Sequence, residues 1–182
     1  MRRITILLFL SVFCFAAAMQ AQAQAPKPDP ALKKLSVFLG HWTYEGESKP
    51  GPLGPGGKYT GEYTARMILG GFFFEARWAE KGPSGETRSL EIVGYDPVNK
   101  NLVSNGYEDG GGTWSGVINV SGSGLTYTGK YFLAGKQYLT RVSETYAADL
   151  MSMTRKLETS VDGTTWTPQE DKWTKVPPAA KK

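Results

Sequence analysis

From His41 to Val176 apolar and polar side chains alternate with a period of two. Turn-forming clusters interrupt the alternation every eight to twelve residues or so, the rhythm of an all-β sandwich or barrel. The pattern predicts about ten strands, over 41–47, 59–69, 72–80, 86–95, 101–108, 112–120, 124–133, 136–146, 151–160 and 166–176. Gly70-Gly71, Gly82-Pro83-Ser84-Gly85, Asp109-Gly110-Gly111-Gly112, Ala134-Gly135 and Asp162-Gly163 supply the backbone freedom that tight reversals need. Such short connections imply antiparallel neighbours in meander order, and no stretch between strands is long enough for a crossover helix. The expected fold is all-β: an antiparallel meander barrel with a short N-terminal helical plug. A two-sheet sandwich with a filled core is the competing arrangement.

Alternation also assigns faces. In the third strand Phe72, Phe74, Ala76 and Trp78 share a face opposite Glu75 and Arg77, so the aromatic set is read as inward. The same rule turns in Trp42, Tyr44, Tyr63, Met67, Leu90, Ile92, Trp114, Ile118, Tyr127, Tyr131, Tyr138, Val142, Met151, Met153 and Leu157. Two charged residues fall among them. Glu144 shares its phase with Val142 and Tyr146, and Arg155 with Met153 and Leu157. An inward Arg155/Glu144 pair on neighbouring strands is expected, because a buried charge without a partner is costly. The competing reading is a bulge that turns both outward.

Ahead of the strands, Asp29-Pro30 is a helix start, with Asp as N-cap and Pro at the first helical position. Leu32, Leu35, Phe38 and Leu39 make an apolar side that Gly40 ends. The segment Lys49-Pro50-Gly51-Pro52-Leu53-Gly54-Pro55-Gly56-Gly57 is too rich in Pro and Gly for regular structure; it is read either as a solvated connection or as a lid over a cavity mouth.

The ends carry other information. Met1-Arg2-Arg3, the apolar run Ile4–Ala18 and Ala21-Gln22-Ala23 form the three regions of a secretory leader, with cleavage expected after Ala23. The expected organisation is a signal peptide over 1–23, a flexible leader over 24–30, one β-barrel domain over 31–176 and a disordered tail over 177–182, with a secreted or periplasmic location. Stable membrane insertion is not expected, since the apolar run is short for a permanent span.

Composition then narrows the chemistry. Loss of Arg2 and Arg3 with the leader brings the 21 Lys and Arg residues down to 19, against 17 Asp and Glu. The lysines are scattered, so no nucleic-acid partner is expected. The lone cysteine, Cys14, lies in the leader, and His41 is the one histidine. No metal site, disulfide or thiol chemistry is therefore expected. Glu45, Glu47, Glu108 and Asp109 are read as solvated carboxylates, and His41 points away from Trp42 by alternation.

Gly40-His41-Trp42, at the head of the first strand and directly after a helical plug, resembles the Gly-x-Trp signature of the lipocalin and calycin barrels. The resemblance implies that Trp42 seals the closed end, covered by a basic side chain from a late strand; Arg155, Lys172 and Lys175 are the candidates. Leu35 to Trp42, Leu69-Gly70-Gly71-Phe72, Gly94-Tyr95-Asp96-Pro97 with Asn99-Lys100, and Asp162-Gly163 leading to Trp166 resemble the DUF1579 family of secreted bacterial proteins. That resemblance implies a calycin-like barrel. The chain also resembles, more distantly, the nitrobindin-type haem barrels, but their ligand is a late histidine and no histidine follows His41, so histidine-ligated haem by that mode is not expected.

The function expected from the sequence is binding of a small apolar or amphipathic molecule inside the barrel, with no cofactor and no catalytic residue assigned. The expected lining is Tyr44, Tyr63, Met67, Phe72, Phe74, Trp78, Trp114, Tyr127, Tyr131, Tyr138, Glu144, Met153 and Arg155, above a structural Gly40 and Trp42. The alternatives are an envelope interaction module with a packed core, and an enzyme using an interior carboxylate or tyrosine. Oligomeric state is left open.

Overall fold

A computed structural model describes residues 25–122 and 124–178. The expected leader over 1–23 and the last residues of the expected tail, 179–182, lie outside them. Ten strands form one closed antiparallel barrel: β1 (Gly40–Ser48), β2 (Gly57–Ile68), β3 (Phe73–Gly82), β4 (Gly85–Asp96), β5 (Asn101–Glu108), β6 (Thr113–Ser121), β7 (Gly124–Leu133), β8 (Lys136–Tyr146), β9 (Ser152–Ser160) and β10 (Thr167–Val176). Each pairs with its sequence neighbours, and β1 closes the ring by pairing with β10. Closure removes both free sheet edges, the alternative to the sandwich. Among the described residues no helix is long and apolar enough to cross a membrane.

The plug is a 3₁₀ helix, Pro30–Phe38, whose first turn is closed by the Asp29 side chain accepting from the Ala31 amide at 2.8 Å. A 3₁₀ helix has three residues per turn, which places Leu32, Leu35 and Phe38 on one line. All three are buried, and Leu39 lies beyond the helix end. Phe38 meets the rings of Phe74 and Tyr146 edge to face.

Trp42, fully buried, donates its indole N–H to the Phe38 carbonyl at 3.1 Å. The Lys175 ammonium sits 5.2 Å from the Trp42 ring centre and donates to the Val37 carbonyl at 3.2 Å. One lysine thus holds plug, tryptophan and last strand together. Of the three candidate closing cations, Lys175 takes the role; Arg155 lies over Trp173 instead.

Four face assignments are corrected. Leu90 and Ile92 point outward, because β3 and β4 pair with Trp78 opposite Ser89, Ala76 opposite Glu91 and Phe74 opposite Val93. Directly opposed residues share a face, so the inward aromatic set of β3 forces Ser89, Glu91 and Val93 inside. Phe72 belongs to a helical turn that follows Leu69–Gly71; its φ of −75° and ψ of −19° break the alternation before β3 begins. Met151 lies in the turn before β9, 39% exposed, its amide held by the Asp149 carboxylate at 2.8 Å.

Candidate functional site

Plug, Trp42, Phe74, Val93, Leu102, Ile118 and Met153 fill one end of the barrel. The other end holds a cavity of about 500 Å³. Its mouth is framed by residues 48–56, by the β3–β4 hairpin at Gly82–Gly85 and by Thr167–Gln169. The Pro/Gly-rich segment therefore lies over the opening. Gly51 and Gly54 exchange backbone hydrogen bonds of 3.0 and 3.1 Å there, a folded tip with Gly51 packed on Thr167.

Of the side chains expected to line a site, Tyr44, Tyr63, Phe74, Trp78, Trp114, Tyr127, Tyr131, Glu144 and Arg155 do line this cavity. Met67, Phe72, Tyr138 and Met153 do not. Met153 is buried against the closed end, Tyr138 lies behind Tyr131 with ring centres 6.1 Å apart, and Phe72 is in its turn. Tyr63, Trp78 and Trp114 form a continuous aromatic wall, each ring edge-on to the next at 5.0 and 6.0 Å.

Glycine makes room for a repeated polar device. On β2 Tyr59 stands opposite Gly46 of β1, which in turn stands opposite Asp171 of β10. With no side chain on Gly46, the Tyr59 ring crosses it and its hydroxyl donates to Asp171 at 2.9 Å. Tyr44 crosses Gly61 in the same way and donates to Glu80 at 3.1 Å. Trp114 crosses Gly106 toward Glu91, which accepts its indole N–H at 3.4 Å and also the Ser104 hydroxyl. Tyr131 donates to Glu108 at 2.7 Å. Four interior acids are thus each met by an aromatic donor, and Asp171 takes a second from the Trp173 indole at 2.6 Å.

The charged pair expected from the sequence is rearranged. Glu144 and Arg155 stand opposite each other and both face inward, so no bulge turns them out. Arg155, however, pairs with Asp171 at 3.5 Å and lies 5.5 Å over the Trp173 ring. Glu144 Oε2 is shielded from solvent and takes no hydrogen bond among the described residues. The same holds for Trp78 Nε1, the Tyr127 hydroxyl, Thr140 Oγ1 and Arg155 Nε, whose 3.5 Å approach to Asp171 is an ion pair and not a hydrogen bond, all on the cavity wall.

Burial shifts these groups. It pushes Glu144 up to about 8, with Arg155 pulling down and Asp171 and Glu91 pushing further up. It raises Glu80, Glu91 and Glu108 as well, and lifts the Tyr127 phenol to about 12. Burial works against the charge on Arg155, but the Asp171 and Glu144 carboxylates outweigh it and hold the guanidinium above its ordinary value. The expectation that Glu108 is solvated is corrected: it faces the cavity. Glu45 and Glu47 are exposed, and His41 lies outside the wall, 3.6 Å from Glu62. Among the described residues no cluster of His, Cys, Asp and Glu has the arrangement of a metal site.

Sequence reasoning passed over Tyr59, Glu80, Glu91, Thr140, Asp171 and Trp173. A usable signal was present. Gly46, Gly61 and Gly106 sit at inward phases of strands, where a missing side chain marks the close approach of something large.

The chain belongs to the family described as protein of unknown function DUF1579, whose model matches residues 27–168. No curated protein matches it. Among solved structures it is similar to Rv2717c from M. tuberculosis, at 16% identity and a TM-score of 0.59, covering 83% of this chain and 100% of that one. That likeness shows the barrel fold. It is also similar to a de novo designed fluorescence-activating β-barrel, at 12% identity and a TM-score of 0.41, covering 78% of this chain and 95% of that one.

Proposed function

We propose that this barrel binds a small amphipathic molecule in its interior. The observation that carries the reading is the cavity of about 500 Å³, open at one end, whose aromatic wall also carries Glu80, Glu91, Glu108, Glu144 and Arg155. Its size is that of small-molecule sites, which combine apolar walls with a few placed polar groups. The closed end, filled by the plug and sealed by Trp42 and Lys175, makes the mouth under residues 48–56 the route of entry.

The test is titration with the neutral probe N-phenylnaphthylamine, read by tryptophan fluorescence, with native mass spectrometry of the protein purified from its source. Trp78 and Trp114 face the cavity, so saturable one-to-one quenching is expected, together with an extra mass that leaves on unfolding. An unchanged emission spectrum and a bare chain mass would overturn the reading. We also read residues 1–23 as an export signal, which puts the barrel outside the cytoplasm; N-terminal sequencing of the exported protein is expected to begin at Gln24.

A further inference from the structure

The cavity wall is acidic. Glu80, Glu91, Glu108 and Glu144 line it, while its one guanidinium, Arg155, is already engaged by a fifth carboxylate, Asp171, and Lys49 stands at the rim. An anionic ligand would enter a low-dielectric space lined by four glutamates, with its guanidinium already ion-paired with Asp171. Three of the lining acids are met by fixed donors: Tyr44 on Glu80, Tyr131 on Glu108, and Ser104 with Trp114 on Glu91. Glu144 is the exception, its Oε2 facing no donor although Arg155 stands on the adjacent strand.

Further along the same wall the Tyr127 ring crosses Gly129 toward Thr140, and neither hydroxyl is a hydrogen-bond partner of Glu144 among the described residues. Tyr63, Trp78 and Trp114 line the same cavity as Glu144 and Glu91, each ring edge-on to the next, and the Trp114 indole N–H reaches Glu91. A carboxylate beside the rings of Tyr63, Trp78 and Trp114 is the chemistry that holds a positively charged nitrogen, by ion pairing on one side and attraction to ring faces on the other.

We propose that the barrel is selective for organic cations: a protonated amine or amidine on an aromatic or aliphatic skeleton, with the cationic group on Glu144 beside Glu91 and the skeleton against Tyr63, Trp78 and Trp114. The proposal rests on the interior-binding reading and adds the sign of the ligand's charge. Glu144 stands opposite Arg155 of β9, and the groups that act on its charge are Arg155, Asp171 of β10, Glu91 of β4 and the Tyr146 phenol of its own strand. Burial raises Glu144 to about 8, so seating a cation on its carboxylate below that pH is coupled to release of a proton.

Calorimetric titration of the full mature chain with naphthylmethylammonium, neutral naphthylmethanol and anionic naphthoate separates the outcomes. Near pH 8 the cation is expected to bind about tenfold or more tighter than the alcohol, with naphthoate weakest. Glu144→Gln is expected to abolish the preference, bringing the ratio of cation to alcohol affinity to about one. The wild-type chain supplies an independent readout: affinity for the cation falls by up to about tenfold per pH unit between about pH 8 and about pH 6, and that for the alcohol stays level. Equal binding of cation and alcohol, or tightest binding of naphthoate, overturns the cation selectivity and leaves interior binding standing. Failure of all three to bind overturns interior binding, and this inference with it.

Discussion

Glu144 and Arg155 stand directly opposite each other on β8 and β9, both facing inward, and the ion pair is not between them. Arg155 turns along the next strand to Asp171, 3.5 Å away and fully buried. Asp171 is the better partner because Tyr59 and Trp173 also donate to it, so its negative charge is held in place by two fixed hydrogen bonds. Glu144 has no such support and takes a proton instead.

Removing Arg155 should therefore be costly. Arg155→Leu leaves Asp171 as an uncompensated buried charge, and an unfolding free energy lower by about 3–5 kcal/mol is expected from urea denaturation. The double variant Arg155→Leu/Asp171→Asn is expected to recover part of that loss, because the stranded charge is gone. A single variant as stable as the wild type would show that Arg155 carries no structural charge.

The interior glycines should not tolerate a methyl group. A Cβ at Gly106 falls inside the Trp114 indole, and one at Gly61 inside the Tyr44 ring. Gly106→Ala is expected to cost about 1–3 kcal/mol and to shift tryptophan emission, as the displaced indole leaves Glu91. Gly85→Ala, at a hairpin with open space around it, meets no side chain but has a φ of 109°. Its cost comes from backbone strain, with emission unchanged. The emission spectrum separates the two cases.

Stability should fall as pH rises through the neutral range. Glu144 is raised from its ordinary 4.5 to about 8, so between these values the native state holds a proton that the unfolded chain has lost. Unfolding is then favoured by higher pH. Below about pH 4.5 Glu144→Gln and wild type should have matching stability, and the variant should gain an advantage on the order of a few kcal/mol that levels off above about pH 8. Glu80, Glu91 and Glu108 are raised too and slope the same way in both proteins. Urea midpoints of the two proteins across this range check the sign; an advantage that shrinks with rising pH would refute it.

Lys175 should matter more than an exposed lysine. Lys175→Met loses the cation over Trp42 and the hydrogen bond to the Val37 carbonyl, with an expected cost of about 1–2 kcal/mol. Hydrogen exchange should show the 3₁₀ plug opening more often while the mouth ends of the strands, such as Gly129–Tyr131 of β7, keep their protection.

Much of this protein is legible along the chain. Strand positions follow from alternation and turn residues because each strand has one face inside and one outside, and a closed barrel keeps that rule for all ten. Trp42, Tyr44, Tyr63, Phe74, Trp78 and Trp114 could be placed inside for that reason alone. The rule failed where apolar residues occupy both phases. In β4 Leu90 and Ile92 look like the inner set, but pairing with β3 turns in Ser89 and Glu91. It also failed at Phe72 and Met151, which adjoin turns where the backbone leaves the period of two.

Local periodicity along the chain was enough for the barrel, its plug and the aromatic character of its interior. Which polar groups meet depended on how the strands are set against one another. Tyr59 reaches Asp171 across 112 residues, and Tyr44 reaches Glu80 across 36, because register sets a glycine between them. Register is a relation between strands, and closure couples all ten. Whether Glu144 has a partner was therefore settled by the ring as a whole, where Asp171, two strands away, claims the arginine that the nearest strand presents.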